Sequence, residues 1–201
     1  QKRVKNDSTY WLIFELIWRD YFKFVAKKYG SAIFQPQGTK KQTLKYHENF
    51  QLFERWVNGE TGVPFIDANM KELKYTGFMS NRGRQNVASF LVKDLNINWI
   101  WGAMYFESAL IDYDVCSNWC NWNYVAGVGN DPRENRYFNI LSQAKRYDGK
   151  GEYVKFWLPE LKKVPAQLVH QAGDLRKNER DMYNIGSFPL AVVSAEKWEK
   201  G

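Results

Sequence analysis

Apolar residues recur at three- and four-residue steps along nearly the whole chain, and no segment alternates with the two-residue period of a strand. Such spacing puts the apolar side chains on one stripe of an α-helix. The sequence therefore predicts an all-α fold. Local signals cut the pattern into elements. Asp7 is placed to cap a first helix that stops at Gly30, with Trp11, Glu15, Trp18, Arg19 and Phe22 on one face. The stretch 31–46, rich in Gly, Pro, Gln, Thr and Lys, predicts a loop, and a short helix follows from about Glu48 to Val57. Pro64 suits the first position of the next helix and Gly77 its end. Ser80 is placed to cap a helix over Asn81–Leu95, and Asn98 one that runs to about Asp112. Helices are also predicted over Val115–Val125 and Glu152–Lys162, with a loop over Gly127–Asn135. Beyond Pro165 the periodicity weakens, and 171–184 is polar enough to be mobile.

At 201 residues the chain suits one domain, or one domain with a tail. Its aromatic share of 17%, with nine Trp, leaves three uses open: a large core, stacking on planar ligands, or carriage of electrons. The net charge of +7 favours polyanionic partners such as nucleic acid, and equally fits a plain basic surface. No run of apolar residues is long enough to span a membrane. The first residue is Gln, consistent with a removed leader or with an N-terminal part lying outside this chain. Cys116 and Cys120 share a helix face without disulfide geometry and read as free thiols of a reducing compartment. His47 and His170 are too far off in sequence to complete a zinc set, so no metal site is expected.

Three segments go further. One is Phe14-Glu15-Leu16-Ile17-Trp18-Arg19-Asp20-Tyr21-Phe22. Another runs from Gly59-Glu60-Thr61-Gly62-Val63-Pro64 to Gly77-Phe78-Met79-Ser80-Asn81-Arg82-Gly83-Arg84-Gln85. The last holds Leu110-Ile111-Asp112-Tyr113-Asp114, then Ser117-Asn118, Asn121-Trp122 and Gly127-Val128-Gly129-Asn130-Asp131-Pro132-Arg133. Their order and spacing resemble the flavin domain of the photolyase/cryptochrome family. The local wording, Asp7-Ser8-Thr9-Tyr10-Trp11 and Ser80 to Gln85, is most similar to the DASH type. The likeness covers about residues 7–162. It divides the chain into a partial FAD-binding-domain-like helical region, 1–165, and a divergent C-terminal tail, 166–201.

The resemblance implies a helical cluster that holds FAD. Asn81 and Arg84 match flavin-site positions, Arg84 is expected to pair with Asp112, Asp114 to accept a hydrogen bond from the isoalloxazine, and Asn118 to face its N5. A buried guanidinium with neighbouring amides suits a ring that becomes anionic on reduction. Glu15, Trp18, Asn81 and Tyr124 match the pocket for a flipped-out pyrimidine dimer, where indole faces stack and carboxyl or amide groups read base edges. Arg19, Arg82, Arg133, Arg136, Lys145 and Arg146 are candidates for the DNA side; the last five equally suit a solvated surface, Lys145 and Arg146 more so. Trp122 and Trp99 match the inner members of the family's tryptophan electron-transfer chain. The outer position, ten residues before Trp56, holds Tyr46.

A complete family member also carries an α/β antenna domain, which binds a folate-type pigment, and a Thr/Ser-rich loop that clasps the FAD phosphates. Neither occurs in these residues, so the chain by itself is expected to hold FAD weakly and to bind no antenna folate. Two functions stand side by side. One is a deoxyribodipyrimidine photo-lyase or blue-light sensor, acting on dimers in single-stranded DNA. The other is a flavin-free remnant that serves as a structural subunit, with a second chain or larger assembly completing the fold. Organellar members of the family imply chloroplast or mitochondrion as the location, with nucleus or cytoplasm as the alternative.

Overall fold

The computed structural model describes residues 6–129 and 137–199. Ten α-helices are present among them: α1 (Asp7–Tyr29), α2 (Phe50–Asn58), α3 (Pro64–Thr76), α4 (Asn81–Ser89), α5 (Trp99–Ala109), α6 (Val115–Ala126), α7 (Ile140–Tyr147), α8 (Glu152–Trp157), α9 (Lys177–Tyr183) and α10 (Glu196–Glu199). The described residues form no strand; one isolated bridge pairs His47 with Ile97. The expected all-α class is the observed one.

The capping signals act as expected, with shifts of detail. The cap of α1 is Asn6 rather than Asp7: Asn6 Oδ1 accepts from Thr9 N at 2.9 Å, while Thr9 Oγ1 accepts from Asn6 N at 3.1 Å. Ser80 caps α4 and Asn98 caps α5. The helix expected over Asn81–Leu95 changes at Phe90 into a π-helical turn, Phe90–Asp94. Pro159 removes a backbone donor after α8 and turns the rest of the expected Glu152–Lys162 helix into a 3-10 turn. Helix α7 was not read from the sequence; at eight residues it gives too short a pattern, although Asn139 caps it through Ser142 N at 2.9 Å.

The core lies where α3, α4, α5 and α6 meet. Trp56, Ile66, Met70, Val87, Phe90, Leu91 and Trp99 are fully buried there. Helix α1 lies against α6 and buries only Phe22 and Val25, while Trp11, Leu12, Ile17 and Phe24 are more than half exposed. Residues 166–199, polar and weakly patterned, are nevertheless packed. The buried Arg180 guanidinium donates to the carbonyls of Ala172, Gly186 and Phe188. Val192 N donates to Thr61 O at 2.9 Å, and Trp198 packs on Phe90.

His170 is buried in this region. Its Nε2 lies 2.6 Å from the Asp148 carbonyl, and its Nδ1 has no partner among the described residues. Burial lowers its pKa from the ordinary 6.5, against the pull of Asp148. The folded state therefore binds this proton less readily than the unfolded state. Stability is full above about 6.5 and falls as pH drops from there towards the depressed folded value. Thermal unfolding should show this loss, and His170→Gln should flatten it; an equally steep dependence in the variant refutes the assignment.

Candidate functional site

Two pockets adjoin at the junction of α1, α4 and α6. The first is a half-open pocket with a cavity volume of about 120 Å³ between α4, α5, α6 and the 110–114 segment. Phe106, Leu110, Trp122 and Val125 give it apolar walls; Asn81, Arg84, Asp112, Asp114 and Asn118 give it polar edges. The second is a half-open pocket with a cavity volume of about 240 Å³ between α1, α4 and α6, with Phe14, Glu15, Trp18, Tyr124 and Phe138 around it. Asn81, Gln85, Asn121 and Val125 line both, so they form the partition. Helical spacing explains the set: Asn81 and Gln85 are one turn apart on α4, as are Asn121 and Val125 on α6.

Arg84 is held from two sides. Its Nη2 donates to both Asp112 oxygens at 2.9 Å, and its Nε donates to the Met79 carbonyl at 2.8 Å. The two side chains are 27% and 52% exposed, so this is a rim pair facing the first pocket and not a buried helix–helix tie. Asp114 caps α6, its Oδ1 accepting from Ser117 N at 2.8 Å. That hydrogen bond, ahead of the nearby Lys23 and Arg19 charges, holds its carboxyl below the usual range despite partial burial. Asn118 donates from Nδ2 to the Ala103 carbonyl at 3.0 Å, which fixes the amide against the pocket wall. In the second pocket Trp18 and Tyr124 meet edge to face at 6.3 Å between ring centroids.

Asn81, Arg84, Asp112, Asp114, Asn118 and Trp122 thus come together in the first pocket, and Glu15, Trp18, Asn81 and Tyr124 in the second. Other candidates lie elsewhere. Arg19 turns to its neighbour Asp20 at 3.5 Å and lines neither pocket. Arg82 donates to Gln85 Oε1 at 2.8 Å and lies over the Tyr147 ring, beside a separate groove. Lys145 and Arg146 are exposed on α7, and Arg133 and Arg136 fall outside the described residues. Trp99 is fully buried on α5 and lines neither pocket. Tyr46 is half-buried in the long loop. Cys116 and Cys120 are both free thiols. Sequence reading missed Gln85 and Asn121 as partition residues; their signal was the four-residue step from Asn81 and the three-residue step from Asn118.

The first pocket suits a planar heteroaromatic ring: Phe106, Leu110, Trp122 and Val125 supply apolar surface, and amides and a guanidinium supply polar contacts. That chemistry fits a flavin. The family described as "FAD binding domain of DNA photolyase" matches residues 11–200. A cryptochrome DASH from Gloeobacter violaceus is 58% identical over 195 residues, 96% of this chain and 39% of that protein. A chloroplastic/mitochondrial cryptochrome DASH from Oryza sativa subsp. japonica is 60% identical over 164 residues, 82% of this chain and 28% of that protein. The crystal structure of a Synechocystis sp. PCC6803 cryptochrome superposes with a TM-score of 0.92 at 53% identity, covering 100% of this chain and 43% of that one. The chain spans about two fifths or less of the length of these relatives. With the fold, the pocket and the matched residues in agreement, this chain belongs to the family of photolyase FAD-binding domains, as the flavin-binding half of a DASH-type cryptochrome.

Proposed function

We propose that the first pocket holds the flavin ring and the second the extruded pyrimidine dimer of single-stranded DNA, in a light-driven photolyase reaction. The shared partition carries this reading: Asn81, Gln85 and Asn121 touch both spaces, so donor and substrate lie side by side. FAD, when bound, supplies light-driven one-electron chemistry. The chain's own residues prepare the surroundings. Arg84, fixed by Asp112 and the Met79 carbonyl, presents positive charge where the ring edge becomes anionic. Asn118 holds a fixed amide at the pocket wall. Trp18 and Tyr124 offer flat faces to the bases, and Glu15 with the partition amides reads their edges. The half-open rim at Asp112 supports weak flavin retention by this chain without the rest of the protein.

Repair of a thymine-dimer-containing single-stranded oligonucleotide under blue light, by the full-length protein, tests this. Trp18→Ala and Glu15→Ala should lose repair while flavin stays bound; repair undiminished in both refutes the substrate assignment. A separate expectation concerns the rim pair. An ion pair this exposed contributes only about 0–1 kcal/mol to stability. Asp112→Asn should therefore lower flavin retention while shifting the melting point little. Unchanged retention, read from the flavin absorption of the purified protein, would count against the Arg84–Asp112 role.

A second reading, a flavin-free interaction subunit, is favoured by the open apolar face of α1, where Trp11, Leu12, Ile17 and Phe24 are exposed. Absence of flavin from the purified native protein, with a stably bound partner, would select it. Organellar placement rests on the names of plant relatives, the rice one among them. No described helix is long and apolar enough to cross a membrane.

A further inference from the structure

Trp99 touches one aromatic ring among the described residues, that of Trp119, edge to face at 5.8 Å between centroids. The Trp119 indole N–H donates to Glu107 Oε2 at 2.9 Å, and Glu107 is exposed to solvent. An indole that has lost an electron becomes strongly acidic at its N–H. A carboxylate already hydrogen-bonded to that atom is placed to take the proton.

None of Trp56, Trp99 and Tyr46 has such a base. Trp56 lies 6.4 Å from Trp122, but its N–H donates to the Val87 carbonyl at 3.1 Å. Trp99 donates to the Pro36 carbonyl at 3.3 Å. A backbone carbonyl is no proton acceptor at neutral pH, so either ring, once oxidised, keeps its charge in the core. Tyr46 has a buried hydroxyl with no partner among the described residues, and burial raises its pKa. Oxidation of a phenol requires release of its proton, and Tyr46 has nowhere to send it.

We propose that Trp119 is the outer electron donor of this chain and Glu107 its proton acceptor, the role that sequence position alone gives to Tyr46. The proposal rests on the flavin reading above. With a flavin bound in the first pocket, Trp122 would be the residue that gives it one electron on illumination. Trp99 has no ring contact with Trp122 but lies one helical turn along α5 from Gly102, against which the Trp122 ring packs; across that gap Trp99 would refill Trp122, and Trp119 would refill Trp99. The indole proton of oxidised Trp119 passes to Glu107 Oε2, leaving a neutral indolyl radical and a protonated carboxyl that exchanges with water. A thiol reductant in solution then returns one electron and one proton to Trp119. Tyr113 faces the same carboxylate, and this contact, after burial, raises the phenol's own pKa.

The test is transient absorption and EPR of the full-length, flavin-loaded protein after a blue flash, with a thiol present. A neutral indolyl radical should form, and Trp119→Phe should abolish it. Glu107→Gln, a change at an exposed side chain, should still let the electron arrive but slow the conversion of radical cation to neutral radical by roughly a hundredfold. A neutral radical that survives Trp119→Phe, or that disappears in Tyr46→Phe or Trp56→Phe instead, overturns the proposal. So does conversion at an unaltered rate in Glu107→Gln. If the purified protein carries no flavin, the flavin reading fails by itself. The pair is then oxidised by a photo-oxidised ruthenium tris-bipyridyl complex in solution. A neutral radical that depends on both Trp119 and Glu107 upholds it, and none refutes it.

Discussion

Asp67→Ala should destabilise the fold by about 3–5 kcal/mol, the cost of stranding three buried hydrogen-bond donors. Asp67 is inaccessible to solvent at the start of α3. Its Oδ1 accepts from Thr61 N at 2.8 Å and Thr61 Oγ1 at 2.6 Å, and its Oδ2 accepts from Gly62 N at 2.8 Å. Burial pushes its pKa up to about 7, against the three donors that pull it down. Removing the carboxylate strands those three donors in the core, each costing about 1–3 kcal/mol where it finds no water. The turn it pins is itself a foundation. Gly62, at φ +74°, lies against the Leu190–Ala191 backbone, and Thr61 O receives Val192 N. The melting point should fall by roughly 10 °C, at a few degrees per kcal/mol for a domain of this size. Asp67→Asn keeps one acceptor oxygen and should fall between. A variant that melts with the parent would show that the turn stands without the carboxylate.

Gly102→Ala should cost about 1–3 kcal/mol, the usual effect of overpacking a tight core. A Cβ at Gly102 would overlap the Trp122 ring and come within 2.7 Å of Leu91 Cδ2. Trp122 and Leu91 are both buried, so neither has solvent to move into. The ring that must yield also lines the first pocket. Loss of stability should therefore be accompanied by loss of flavin, measured on the same sample by melting and by flavin absorption. A change that lowers the melting point and leaves flavin retention intact would mean that Trp122 yields without reshaping the pocket wall.

Much of the site was readable before any coordinates, because its residues sit at helical steps within single segments. Asn81, Arg84 and Gln85 belong to one face of α4, and Asn118, Asn121, Trp122 and Val125 to one face of α6. Local spacing carries that information directly. The Arg84–Asp112 pair joins residues 28 apart and came from resemblance to a family, not from spacing. Arg19 shows the limit of both: it shares a helix with Glu15 and Trp18, yet it pairs with Asp20 and lines neither pocket.

By itself the sequence determined the all-α class, the order of the main helices and the faces that carry the pocket residues, since capping and periodicity act within a few residues. Tertiary structure alone decided that Trp99 pairs with Trp119 and that Glu107 meets the indole N–H. It also decided that Asp67 is buried beneath a turn, and that the polar stretch after 165 is anchored by Arg180 and Trp198. Those contacts depend on how each helix is rotated and set against its neighbours. That choice is made by close packing across the whole core, and no local run of residues records it.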